Sequence, residues 1–553
     1  MSLNQGTTLP TKRLGKEKAQ ERALEIATYV RRQCPELENW GTTSLELRSN
    51  SLLGKSYELP NIAARFYSIN AIPDDPTLEH DLEELLSVYK KIADEGIWDN
   101  IQSNRFEAFL PEPPSHVNDP TPSLKSITAL PKPFLLLAGI SGTGKTRFVR
   151  EQAQRYGTSL ENYCLVPVRP DWHEPSDLLG YVSRISGTRY IISPFLKFLI
   201  QAWCNAIEKI EGQEIVLKSF DQITPFWLCL DEMNLAPVEQ YFADYLSILE
   251  TRKWENNTYS CDPILKKDIF ENLQSYSFSR QEKTTNSLEC FWDEIFAEYP
   301  DATSEFATSV KKYFSKNGIP LPPNLIVAGT VNMDETTYGF SRKVIDRALT
   351  IDFGEFFPNN YDEFFVSKTQ PKTFGFSSIS QVTESDLRAV PADPGGVHSI
   401  AFLKAVNEIV KNTPFELAYR ALNELLLSVV CFMPPDADHL CAIWDDFLVQ
   451  KVLPRIEGDM AKLRSLKNTG PGEILNEKIF GKGSILHDLY HLLSDKTQPW
   501  DMCRNETRPD LLRERLLPHD ELPTPLRIKW RTKKKLEWMM KRLKTNHFTD
   551  FWV

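Results

Sequence analysis

Five apolar runs of strand length recur along the middle of the chain: Phe134 to Ala138, Tyr163 to Val168, Phe226 to Leu230, Leu325 to Thr330 and Ala348 to Phe353. Helix-like spacing separates them, the alternation that a parallel α/β sheet requires. Between the third and fourth runs, residues 255–320 read as a polar, helix-prone insertion. Upstream, Ala23, Ile26, Ala27 and Val30 mark an amphipathic helix within Lys16 to Arg32. Leu78, Leu82, Leu85, Leu86 and Tyr89 mark another. A proline-rich stretch from Pro111 to Pro133 reads as a linker. Beyond Phe353 comes a loop-rich stretch with Pro391, Pro394, Gly395 and Gly396. Helical patterns follow at Phe402 to Val410, Phe415 to Met433 and Trp444 to Leu453, and the last is a basic helix, Lys533 to Lys544. The expected organisation is a small, mostly helical region over 1–125, an α/β core over 126–360 with the insertion at 255–320, and a helical region over 361–553.

Composition narrows this reading without changing it. The 553 residues are 41% hydrophobic and 25% charged, ordinary values for a globular protein. A net charge of −11 argues against a surface that grips nucleic acid all over. No apolar run approaches the ~20 residues that would span a membrane, and the start of the chain has no signal-peptide pattern. A cytoplasmic protein is expected. Nine cysteines occur without a C-x-x-C pair and read as reduced structural thiols. The nine histidines form no metal-binding pattern.

The chemistry begins at Gly139-Ile140-Ser141-Gly142-Thr143-Gly144-Lys145-Thr146, directly after the first apolar run. Glycines in this spacing let backbone N–H groups curl around a phosphate chain, and the helix starting near Thr146 points its positive end at the same charge. Lys145 is placed to reach the β- and γ-phosphates, and the Thr146 hydroxyl to ligate Mg²⁺. Hydrolysis also needs carboxylates. Asp231 and Glu232 follow the run Phe226 to Leu230, at the carboxyl end of a strand, where phosphates lie in an open α/β sheet. The run Leu325 to Thr330 delivers Val331 and Asn332 to the same edge, where an amide can hold a water or touch the γ-phosphate. A lone asparagine after a strand is otherwise a turn residue.

In this order, the phosphate loop, Asp231-Glu232-Met233-Asn234, Asn332 and Ile345-Asp346-Arg347-Ala348 resemble an AAA+ ATPase with Walker A and Walker B motifs. Within that superfamily the chain most resembles McrB-type motor subunits of modification-dependent restriction systems, in the dynein and MoxR-related group. Val168-Arg169-Pro170-Asp171-Trp172, Gly329 to Asp334, Gln450 to Gly458 and the terminal Phe548 to Trp552 carry the likeness from about residue 130 onward. The resemblance implies an AAA+ P-loop core with a helical lid, and Mg²⁺-dependent ATP or GTP hydrolysis. It makes Asp231 a metal ligand through water, Glu232 the general base and Asn332 the first sensor. Arg347 would be an arginine finger acting on a neighbouring subunit, with Arg342 as the fallback, and Arg420 a lid residue at the γ-phosphate. It further implies a homo-oligomeric, hexameric ring, a separate McrC-like nuclease subunit, and DNA reached directly or through that partner. McrB-type chains carry Met-Asn-x-x-Asp-Arg after the fourth run. Here Val331 to Thr336 keeps only the asparagine, a departure that favours ATP over GTP.

Two features stay open at this level. The basic helix could follow a phosphate backbone, dock on an acidic neighbour or be solvated. Trp172 and Tyr181 could line a pore or belong to the core. A MoxR-like chaperone that remodels a protein partner is the competing function, and a nucleotide-gated scaffold without turnover is a third.

Overall fold

The strand runs assemble into one five-stranded, all-parallel sheet: β1 (Phe134–Gly139), β2 (Tyr163–Pro167), β3 (Phe226–Asp231), β4 (Leu325–Asn332) and β5 (Leu349–Asp352), in the order β5-β1-β4-β3-β2. The computed structural model describes residues 2–4, 61–64 and 127–552, apart from 158–159, 186, 213, 256–257, 281–282, 298–303, 334–338, 364–366, 466–482, 495–499, 504 and 517–524. The helices expected at Lys16 to Arg32 and around Leu78 to Tyr89 lie outside the described residues, as do Asp334, Glu335 and Thr336. The chain divides into two compact units, Met1–Pro120 and Thr121–Val553. In the first, Ser2–Asn4 pairs antiparallel with Asn61–Ala64.

In the second unit both faces of the sheet are covered, which is why its strands are apolar throughout. Because side chains alternate along a strand, Leu135 and Leu137 of β1 face one side with Trp227, Cys229, Ile326 and Ala328. Phe148, Val149 and Ala153 of α1 (Lys145–Gln154) pack on that side. Phe134, Leu136 and Ala138 face the other side with Leu228, Leu230 and Val327. There they meet α2 (Pro194–Ala206), whose start is fixed by Pro194 and by Ser193 Oγ accepting from the Leu196 amide at 3.1 Å. The insertion packs on the same side through Phe270, Phe291, Trp292 and Phe314. It is helical as its pattern suggests, with short antiparallel hairpins that the pattern did not reveal. A seven-residue helix, α3 (Ala243–Leu249), closes this layer.

The region after β5 adds α4 (Val397–Val410), α5 (Tyr419–Phe432), α6 (Ala437–Phe447), α7 (Ile485–Ser494) and α8 (Arg531–Asn546). Their apolar faces join the α1 side of the sheet in one continuous core. The region is not wholly helical. Thr369–Pro371 pairs with Arg513–Arg515, Thr507–Pro509 with Arg527–Lys529, and Gly458–Asp459 with Phe548–Thr549. These pairs join segments far apart in sequence and are too short to show periodicity. The α6 helix continues into a π turn, Leu448–Val452, which buries Lys451. Among the described residues no helix is long and apolar enough to cross a membrane.

One expectation changes here, and one open feature gains partners within the chain. Cys441 of α6 is disulfide-bonded to Cys503, with Cα atoms 5.7 Å apart, beside the Phe402, Trp444 and Trp500 rings. The reading of every cysteine as a reduced thiol is corrected at this pair. The partners stand 62 residues apart, and only the fold brings them together. Elsewhere burial pushes the Cys164 thiol up to about 11. The basic helix α8, in turn, is fastened inside the chain. Leu536, Met539, Met540 and Leu543 are buried as its spacing implies. Lys535 Nζ sits 2.8 Å from Asp352 Oδ2, Lys534 Nζ 2.8 Å from Glu355 Oε1, and Arg542 donates to the Trp552 carbonyl at 2.7 Å.

At the base of α8, buried Arg508 donates to Asp445 Oδ2 from both Nε (3.0 Å) and Nη2 (2.8 Å) and also pairs with Asp446. Arg531 joins Asp446 at 2.7 Å and Asp510 at 3.1 Å. Removing one member of such a network leaves a buried charge uncompensated. Arg508→Met is therefore expected to lower the unfolding free energy by about 3–5 kcal/mol, read from urea denaturation at neutral pH.

Candidate functional site

Beyond β1 the chain turns through Gly142 and Gly144 at φ 79° and 90°, where a side chain would be strained. Gly144 ends the loop as the N-cap of α1. That helix has neither a side-chain cap nor an acid in its first turn, so its leading N–H groups are available to an anion. Lys145 Nζ lies within the loop and donates to the Gly139 and Ile140 carbonyls at 2.9 and 2.7 Å. Thr143 Oγ1 donates back to the Ile140 carbonyl at 3.0 Å. Ile140 and Ser141 are exposed at the turn.

Register brings the remaining groups alongside. Asn332 pairs with Gly139 across β4 and β1, while Leu230 pairs with Gly329 across β3 and β4. Asp231 Oδ1 accepts from Thr146 Oγ1 at 2.7 Å and from Thr330 Oγ1 at 2.8 Å. Thr330 Oγ1 in turn accepts from the Glu232 amide at 2.9 Å, and Asn332 Nδ2 donates to Glu232 Oε1 at 3.3 Å. The loop helix, the acidic pair and the asparagine form one hydrogen-bonded chain. A hydroxyl and a carboxylate oxygen 2.7 Å apart beside the phosphate loop are the hard oxygen donors that suit Mg²⁺.

Some contributors were not apparent in the sequence. Thr330 reads there as an ordinary β-former, yet it joins the two acids. Asn234, in the Asp-Glu-Met-Asn run, donates to the Asn332 carbonyl at 3.0 Å. Gly329 has a packing role: a Cβ there would lie 2.3 Å from Met233 Sδ and would push that side chain aside from beneath β4. Trp172 packs edge-on against Tyr241, with ring centres 5.3 Å apart, whereas Tyr181 is exposed on a hairpin.

Comparison with known proteins adds two matches. Residues 1–94 match the family model described as the MrcB-like, N-terminal domain. This supports a McrB-like relation. Residues 397–548 match a domain of unknown function (DUF8727), a span that contains α4 to α8. Neither match covers the phosphate loop, and no curated protein matches the chain.

The chain keeps its candidate arginines away from its own phosphate loop. Arg347 directly precedes Ala348 and β5, whose first residue pairs with Leu135 near the start of β1; the loop follows the other end of β1. Arg347 Nε is 2.7 Å from Glu250 Oε1, and Arg420 Nη2 is 2.8 Å from the same oxygen. Arg342 is held against the segment between α4 and α5, donating to the Pro414 carbonyl at 2.7 Å and lying over the Phe415 ring. A cavity of about 620 Å³ opens at this edge, lined by Lys132, Glu250, Arg252, Arg347, Arg420 and Glu424 among others.

Behind it, Glu424 of α5 pairs with Lys132 and with Lys451, the latter at 2.6 Å, and both lysines donate to the Asp346 carbonyl. Burial pulls the Lys132 ammonium down to about 7 against the raising pull of Glu424, and the Lys451 charge adds to the lowering. Between about pH 7 and 10.5 the unfolded chain then binds the Lys132 proton and the folded chain does not, so stability rises with pH across that window. In Lys132→Met this rise is expected to flatten, checked by denaturant titrations at pH 7, 8 and 9. Thr330→Val keeps the shape and removes both the donor to Asp231 and the acceptor of the Glu232 amide. A loss of about 1–3 kcal/mol is expected in the same assay.

Proposed function

We propose that this chain is a nucleotide-hydrolysing AAA+ motor subunit of the McrB-like type. Its ring of identical subunits, hexameric in this reading, drives a separate McrC-like nuclease in the restriction of modified or foreign DNA in the cytoplasm. The observation that carries the hydrolytic part is the hydrogen-bonded chain Thr146–Asp231–Thr330–Glu232–Asn332 at the mouth of the phosphate loop. The match of residues 1–94 to the MrcB-like domain favours this over a MoxR-like chaperone.

In this mechanism the loop amides and Lys145 hold the β- and γ-phosphates, and Thr146 with Asp231 would hold Mg²⁺, which would supply charge neutralisation at the phosphate oxygens. Asn332 and Glu232 receive the attacking water. Glu232 takes its proton as the water oxygen bonds to the γ-phosphorus and the bond to the β–γ bridging oxygen breaks. Inorganic phosphate and the nucleoside diphosphate leave. Charge developing on the departing oxygens calls for an additional cation, which Arg347 supplies from a neighbouring subunit. ATP is the expected substrate over GTP.

The test is phosphate release from ATP and from GTP, with and without duplex DNA, with Lys145→Ala as the blank. Glu232→Gln is expected to lose at least about 10²-fold in turnover while still binding nucleotide. Unchanged turnover in that variant removes Glu232 as the base. Stimulation by DNA supports the restriction motor; stimulation only by a protein client supports the chaperone.

A further inference from the structure

We propose that Glu250 is a positioning residue. Its carboxylate gathers Arg347 and Arg420 into a two-guanidinium fork that receives the triphosphate held on the phosphate loop of a second copy of this chain. The inference rests on the hydrolytic reading above and extends it to a residue that no motif marks.

Three separate elements converge on one oxygen. Glu250 follows the last residue of α3, Arg347 lies just before β5, and Arg420 stands in the first turn of α5. Glu250 Oε1 is 2.7 Å from Arg347 Nε and 2.8 Å from Arg420 Nη2. Two guanidinium groups repel when brought together, and a shared carboxylate is what lets them stand side by side. The contacts use only part of each fork. Arg347 Nε lies 2.7 Å from Glu250 as an ion pair and Nη1 donates to the Lys343 carbonyl at 2.9 Å, which leaves Nη2. Arg420 keeps Nε and Nη1. The side chains of Arg347, Arg420 and Glu250 are 20%, 47% and 35% exposed, so the pair is reachable from outside the chain.

The base of the fork is held as firmly as its tip. The Asp346 carbonyl accepts from Lys132 at 2.9 Å and from Lys451, and Asp346 Oδ1 lies 3.1 Å from Arg455 Nε. Arg347 therefore leaves an immobilised backbone, and Glu250 sets the direction of its side chain. That direction is away from the chain's own loop. The six residues of β1 separate the two edges by roughly 17 Å, beyond the reach of either arginine. The cavity beside the fork gathers five basic residues, Lys132, Arg252, Lys253, Arg347 and Arg420, against three acids, Glu250, Asp346 and Glu424. A polyanion presented by a second copy suits that balance.

The experiment compares the wild-type chain with Glu250→Ala and Glu250→Gln in steady-state ATP hydrolysis. Glu250→Ala is expected to lower kcat about 10-fold or more with KM changed less than about 2-fold, because the fork acts on charge that develops in the transition state. Glu250→Gln keeps the shape and an acceptor oxygen without the charge, and is expected to fall between the two. Mixing then separates positioning in trans from loss of fold. Glu250→Ala keeps an intact loop, and Glu232→Gln keeps an intact fork. A mixture of the two is expected to turn over faster than the sum of its parts. No gain on mixing, or a wild-type kcat in Glu250→Ala while Glu232→Gln is dead, overturns the clamp and leaves the hydrolytic reading standing. A wild-type chain that releases no phosphate overturns that reading, and the clamp with it.

Discussion

One carboxylate oxygen organises the site. Asp231 Oδ1 accepts from Thr146, at the start of the loop helix, and from Thr330, inside the central strand β4. Both hydroxyls spend their single proton on it, so their remaining lone pairs face outward as acceptors. Thr330 uses one to hold the Glu232 amide. The loop helix, the acidic pair and β4 are thereby fixed relative to one another by short hydrogen bonds to an anion, which are stronger than neutral ones. The parallel register makes this possible, because it ends β1, β3 and β4 at the same edge.

The edge strand β5 is held at both ends by charge. At its entry, Asp346 receives Lys132, Lys451 and Arg455. At its exit, Asp352 receives Lys535 from α8. Between these anchors the strand pairs with β1 from Leu349↔Leu135 to Asp352↔Ala138, ending one residue short of the phosphate loop. The arginine pair at one edge of the sheet and the phosphate loop at the other are thus joined by two adjacent, hydrogen-bonded strands. Lys451 and Lys535 both come from the span matching the domain of unknown function. That region therefore contributes directly to holding the strand beside the loop, through Lys451 and through Lys535 of α8.

Much of the core could be read from the chain itself. The five strands appear where continuous apolar runs predicted them, and the phosphate loop sits at the end of the first. What stayed hidden had no local signature. Thr330 is a common strand residue whose importance lies in a partner 99 positions away. Glu250 is one acid among many until the fold sets it between two arginines from distant segments. Cys441 and Cys503 meet for the same reason. The α8 helix carried a clear amphipathic pattern, yet its lysines could not be assigned partners, because Asp352 and Glu355 lie far upstream.

Glu232 shows how a local constraint serves the site. Successive side chains of a strand point to opposite faces, so an acid directly after Asp231 in extended conformation would turn away from it. Glu232 instead takes the left-handed region at φ 54°, a conformation that costs a non-glycine residue about 1 kcal/mol. Its amide is held there by Thr330 Oγ1, and Met233 to Leu235 continue into a short 3-10 turn. The turn closes tightly because Gly329 leaves room for Met233 beneath it, and Tyr241 donates to the Met233 carbonyl at 2.9 Å. Buried packing and three hydrogen bonds, with Asn332 the third, offset the strain at one residue. As a result two consecutive acids, which a regular strand would separate, share a single edge. Asp231 faces the loop helix and Glu232 faces Asn332.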